Sequence, residues 1–138
     1  LIIFSPENQL TKDEDLNAME NPDGTGTLTI TRMTIDSDKV SFDFEGKVEG
    51  YGTVFATHTL TYIGVDRSRG RLQGEARTFL DDGGLISTPH KGTFIRDGSN
   101  ATSYFTDATN HGVVNFVIWD IDIITKAVSV RYWEVKSP

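Results

Sequence analysis

The feature that most constrains this chain is a strict two-residue alternation over ten positions. Val40, Phe42, Phe44, Gly46 and Val48 interleave with Ser41, Asp43, Glu45, Lys47 and Glu49. Successive side chains of a β-strand point to opposite faces, so one row is buried and the other meets water. A helix cannot satisfy this pattern. The next segment repeats it, with Val54, Ala56, His58, Leu60 and Tyr62 on one side and Thr53, Phe55, Thr57, Thr59 and Thr61 on the other. Gly50 and Gly52 flank Tyr51 between the two segments, which fits either a tight hairpin or a kink at a barrel corner.

From Thr25 onward threonine, valine, isoleucine and aromatic residues dominate, and turn signals recur. Asp82-Gly83 and Asp97-Gly98 each sit between apolar runs and predict hairpins with type I′ turns. Asn110-His111-Gly112 opens a further strand, and Thr125-Lys126 joins it to a last one whose Val128, Val130 and Tyr132 share a face. Residues 1–24 read as a lead-in, with a capping box at Thr11-Lys12-Asp13-Glu14 and a short helix closed by Asn21-Pro22-Asp23-Gly24. The expected architecture is all-β: a single antiparallel β-barrel of about eight or nine strands over residues 25–138. A jelly roll or open sandwich is the alternative.

Charge and composition narrow the partners. Thirteen basic against twenty acidic residues give a formal charge of -7, the wrong sign for following a phosphate backbone, so no nucleic acid is expected. No window approaches the apolar length of a bilayer-spanning helix, so no membrane partner is expected either. Leu1 to Phe4 is apolar without a basic region before it and is not expected to be an intact signal peptide. The absence of cysteine leaves the redox compartment open, and a cytoplasmic location is the expectation. The missing cysteines also exclude disulfides, thiolate metal sites and thiol nucleophiles.

Barrels of this size are filled by side chains or hold one small ligand, so the inward polar residues matter most. His58 stands in an apolar row and is a candidate cavity base or a satisfied core histidine. Arg71, Gln73, Glu75 and Arg77 form a polar row opposite Leu72, Gly74 and Ala76. That row is either a solvated face or a polar interior; if it turns inward, Glu75 beside Arg77 is an ionised carboxylate able to orient a ligand or take a proton. Asp120 and Asp122, two apart, read as a rim. The expected lining of a cavity is His58, Tyr62, Glu75, Arg77, Tyr104 and Trp119, with His58 and Glu75 as catalytic candidates.

Val113 to Ile124 carries apolar residues at both parities, so both its faces need cover, from this chain or from a second subunit in a homodimer. A metal site is not expected. Gly52 to His58 and Gly83 to Pro89 half-match the openings of the two cupin motifs, but Leu60 replaces the next histidine and His90-Lys91-Gly92 breaks the second motif.

The stretch Gly70-Arg71-Leu72-Gln73-Gly74-Glu75-Ala76-Arg77, followed by Asp82-Gly83-Gly84 and Gly92-Thr93-Phe94, resembles the small barrels grouped with allene oxide cyclase, which are similar in shape to the calycins. The resemblance spans about half the chain, Gly52 to Trp119. It implies an eight-stranded barrel with a hydrophobic cavity and a cyclisation or isomerisation without cofactor. No catalytic residue carries over, since no local motif of the plant enzymes matches and their cysteine has no counterpart. The expected function is therefore the binding of a small apolar ligand, with cofactor-independent cyclase or isomerase chemistry in reach. The alternatives are a solid barrel that works as an interaction protein and a cupin-like metal-binding barrel. An interior of about 300 Å³ or more favours the first reading, and a filled core favours the interaction protein.

Overall fold

The computed structural model describes Met19 and residues 21–138. Eight strands close into one antiparallel barrel: β1 (Gly24–Ile35), β2 (Lys39–Val48), β3 (Gly52–Tyr62), β4 (Arg69–Leu80), β5 (Leu85–Asp97), β6 (Asn100–Ala108), β7 (Val114–Asp122) and β8 (Ala127–Lys136). Every strand pairs with its neighbours in sequence, and β1 closes the ring against β8 from Gly24↔Tyr132 to Thr29↔Ala127. This up-and-down order differs from the double Greek key of the jelly roll, to which the cupin half-motifs belong. Among the described residues no helix is long and apolar enough to cross a membrane. The helix expected over residues 11–20 lies outside those described.

The predicted parities hold where the alternation is strict. Phe42, Phe44, Val54, Ala56, His58 and Leu60 are all buried, as are Val128, Val130 and Tyr132. Gly50 and Gly52 belong to the β2–β3 hairpin, and Gly50 has φ +82, a conformation open to glycine at little cost. The two Asp-Gly turns differ from the expected type. Between β5 and β6 the two-residue loop is Gly98-Ser99, one position later, with positive φ only at Gly98. Between β4 and β5 the chain turns over residues 81–84, again with one positive φ, at Gly83. Neither loop has the paired left-handed residues of type I′.

The interior is filled by setting large side chains beside missing ones. Gly74 faces inward opposite His58 in the β3–β4 register, and Gly92 stands opposite Phe105 in the β5–β6 register. A methyl group at Gly74 would press into the Thr57 carbonyl and lie 2.6 Å from His58 Cδ2. Gly74→Ala is accordingly expected to cost about 1–3 kcal/mol, the range for overfilling a packed core. A urea midpoint shift worth under about 0.5 kcal/mol, within the range of surface changes, would contradict this account of the packing.

β5 runs unbroken through Pro89, although a proline inside a sheet normally deletes a ladder bond. Pro89 shares parity with Ser87, whose N–H turns towards β6 and is met by the Asn110 side chain. The β5–β6 ladder starts only at His90↔Asp107, so the absent N–H of Pro89 falls just beyond it. This placement carries His90 inward on the same face as Ile86, Thr88 and Phe94, all buried.

Candidate functional site: a buried polar chain beneath two tyrosines

His58 lies at the centre of the barrel, fully buried, stacked on Trp119 at 4.4 Å between ring centroids and edged by Phe44 and Phe105. Its Nε2 stands 2.8 Å from Nδ1 of His90, so the two imidazoles share one hydrogen. His90 in turn points Nε2 at Asp107 Oδ2, 3.9 Å away, too far for a direct bond. The Asn115 amide closes the row: Nδ2 donates to Asp107 Oδ1 at 2.9 Å and to the Tyr51 hydroxyl at 2.9 Å. A polar chain thus climbs from the barrel centre to the end carrying the β2–β3, β4–β5 and β6–β7 turns.

Register creates this chain. His90 pairs with Asp107 across β5–β6, and Asp107 with Asn115 across β6–β7, placing three inward side chains side by side. Tyr51 and Tyr132 stand over them with ring centroids 5.3 Å apart, and the Tyr132 hydroxyl donates to the Glu49 carbonyl. Beneath lies a cavity of about 50 Å³, walled by His90, Asp107, Asn115, Trp119 and Tyr132 among mostly apolar neighbours.

Burial sets the charge states. Desolvation holds His58 well below the usual imidazole range, helped by the neighbouring His90, and brings His90 down to about 3. Desolvation also pushes Asp107 up to about 6, against the lowering effect of the Asn115 hydrogen bonds. The two partners shift as separately desolvated groups, which agrees with the 3.9 Å gap between them. Above about pH 6 the cavity wall therefore carries one carboxylate beside neutral imidazoles. Two polar atoms here have no partner: His58 Nδ1 and Asn115 Oδ1.

Of the residues expected to line a cavity, the structure brings His58 and Trp119 together. Trp119 borders the cavity, while His58 lies behind it in contact with His90. Tyr62 is at the opposite end, beside Phe94 and beneath Arg67 at 5.4 Å, where it borders a separate hollow of about 170 Å³ with Val40, Phe42, Leu60 and Phe94. The expectation that Glu75, Arg77 and Tyr104 face the interior is corrected. Gly74, Ala76 and Thr78 take the inward parity of β4, as Ser103 and Phe105 do on β6, leaving those three side chains outside. Glu75 and Arg77 form an exposed ion pair at 3.3 Å and border an open outer groove with Phe55 and Asp43. Asp120 pairs with Arg131 on the outside, and Asp122 accepts bonds from the backbone N–H groups of Ile124 and Thr125.

His90, Asp107, Asn115, Tyr51 and Tyr132 are the site residues that sequence reasoning missed. Parity was the available signal for His90, which follows Ile86 and Thr88 at two-residue steps, but the run reads as two pieces broken at Pro89. Among the described residues no group of three or more histidine, aspartate or glutamate side chains converges as a metal site. On the two-sided strand, Val117, Trp119 and Ile121 face inward, and Ile118 on the outer side is only 6% exposed in a single chain.

No family model, curated protein or solved structure matches the chain. The closed eight-stranded antiparallel ring is compatible with a calycin-like small barrel in shape.

Proposed function

We propose that this barrel binds a small, mainly apolar molecule by one end, in the cavity beneath Tyr51 and Tyr132. The observation that carries the reading is a cavity at one end of the barrel with a desolvated carboxylate, Asp107, in its wall and a buried, unpartnered amide oxygen, Asn115 Oδ1, next to it. Buried polar groups are normally satisfied, and perturbed ionisable groups in a hollow mark functional sites more often than packing defects. Cofactor-independent isomerase or cyclase chemistry is the activity this site would support. Asp107, titrating at about 6, is then the group placed to take or return a proton, with His90 beside it and His58 a positioning residue behind His90.

The volume limits the ligand. At roughly 10–15 Å³ per water-sized atom, the cavity accepts a group of about four non-hydrogen atoms, so the bulk of any larger molecule stays outside the ring. The test is a thermal-shift screen with small fragments. A fragment at ten times its Kd is expected to add about 1.4 kcal/mol, raising Tm by about 3–6 °C. The cavity-filling Thr78→Leu variant should melt cooperatively and lose the shift. An unchanged shift in that variant would place the binding elsewhere.

A second reading rests on the same small volume, which falls well short of the interior of about 300 Å³ expected of a ligand-holding barrel. The barrel centre around Phe44, Phe105 and Trp119 is closely packed, as in a barrel that works through its surface, and a partner or second copy on the outer side of β7 at Val114 and Phe116 is the corresponding proposal. Ile118 needs no such cover, being buried within one chain.

A further inference from the structure

Asp107 has an unusual set of neighbours for a carboxylate that is only 17% exposed. Oδ1 accepts from the Asn115 side chain, whose backbone N–H also acts on the carboxylate, and no lysine or arginine among the described residues pairs with it. A buried carboxylate without a compensating cation is costly, and proteins ordinarily avoid the arrangement. Next to it, Asn115 Oδ1 is bare. Rotating the amide does not repair this: both hydrogens of Nδ2 are committed, to Tyr51 and to Asp107, and a flip would set the amide oxygen against the carboxylate. Asp107 therefore brings an anionic acceptor without a counter-cation to the wall of one small, mainly apolar cavity.

The complement of such a site is a cation with several hydrogen-bond donors. Anionic head groups are repelled by Asp107, and an alcohol supplies one hydrogen while leaving the charge uncompensated. A primary ammonium supplies three hydrogens and the charge. His90 Nε2 becomes a further acceptor in the tautomer where His90 Nδ1–H donates to His58. Two aromatic rings, Tyr51 and Tyr132, also border the cavity, and the Tyr132 hydroxyl is already bonded to the Glu49 carbonyl. We propose that the cavity takes the protonated amine of a short alkylammonium, bound by the Asp107 carboxylate beside His90 and beneath the Tyr51–Tyr132 pair. This inference rests on reading the cavity as a ligand site and names the class of ligand.

Binding then depends on pH through Asp107. The groups facing it are His90 from β5, Asn115 from β7, Tyr51 from the β2–β3 turn and Tyr132 from β8, with Glu49 and Glu134 acting on the two phenols from the rim. Burial keeps His90 neutral down to about 3 and pushes Tyr132 up to about 12, and Tyr51 is raised as well, so Asp107 is the group that changes charge between pH 5 and 7.5. With its carboxyl titrating at about 6, affinity for an ammonium should fall about tenfold from pH 7.5 to pH 5.

The experiment uses n-propylammonium, n-propanol and propionate, each of about the cavity's capacity, at matched ionic strength, read by thermal shift and titration calorimetry. The expected result is a shift with propylammonium at pH 7.5, about tenfold weaker binding at pH 5, and loss of the amine response in Asp107→Asn with any propanol response kept. Propanol binding as tightly as propylammonium overturns the amine assignment and leaves the cavity reading standing. An amine response that survives in Asp107→Asn also overturns it, by placing the cation at a surface carboxylate. No response to any of the three overturns both the amine assignment and the cavity reading.

Discussion

Replacing Trp119 with alanine is expected to destabilise the barrel by about 3–5 kcal/mol, the range for deleting a large aromatic side chain from a packed core. Trp119 is 2% exposed and holds three rings in place: Phe44 at 4.9 Å, His58 at 4.4 Å and Phe105 at 5.2 Å between centroids. Its removal also joins the vacated space to the existing cavity, which it borders, so the surroundings have little means of collapsing onto the gap. Domains of this size hold roughly 5–15 kcal/mol in total, and the variant should therefore melt about 10–25 °C lower. Glu75→Ala and Arg77→Ala remove an exposed ion pair on the outer face and should stay within about 0.5 kcal/mol of the parent. Comparable losses at Trp119 and at Glu75 would mean that inside and outside are wrongly assigned on these strands.

Acid stability should separate Asp107 from the two histidines. Between about pH 4 and 6 the unfolded chain is protonated on both imidazoles and ionised at Asp107. The folded chain in that window is neutral at both imidazoles and protonated at Asp107. The unfolded state binds one proton more across these three groups, so they lower stability by about 1.4 kcal/mol for each unit the pH falls. In Asp107→Asn the difference becomes two protons and the slope doubles to about 2.7 kcal/mol per unit. Near pH 7.5 the order reverses the usual effect of a core substitution. Losing a carboxylate raised to about 6 from 3.8 removes a charging penalty of about 3 kcal/mol, and the variant should be the more stable protein. Urea midpoints at pH 4.5, 5.5 and 7.5 test this directly. Parallel slopes for parent and variant would show that Asp107 ionises freely in the fold and that the desolvated site is misread.

Much of the barrel is legible in the sequence because period-two burial is a local property. The rows through Phe42 and Phe44, through Ala56 and His58, and through Val128 and Val130 each announce their inward face without reference to any other strand. The site is not local. His58 meets His90 across 32 positions because the β3–β4 and β4–β5 registers place both beside Gly74, and no residue in either strand states that register. Pro89 hid the continuity of β5, and with it the parity of His90. Asp107 and Asn115 were concealed differently: each is a polar residue on an inward row whose neighbours are apolar or small, and such a residue near a strand end reads as the start of a loop. The row from Arg71 to Arg77 shows the converse. Its thin inner face of Gly74 and Ala76 looked too weak to be a core, yet those small residues make the room that the His58 and His90 rings occupy.

The closure of the ring sets which part of the hollow's wall is held most weakly. Seven of the eight ladders are hairpins, whose opening leaves both strands tethered by a short turn. The β1–β8 ladder joins segments about a hundred positions apart, so its opening frees more chain entropy than any other. It is also short, from Gly24↔Tyr132 to Thr29↔Ala127, and Tyr132 and Val130 on its β8 side are walls of the cavity. The seam whose closure costs the most chain entropy is therefore also a wall of the hollow, while His90, Asp107 and Asn115 are held in line by hairpin ladders elsewhere in the ring.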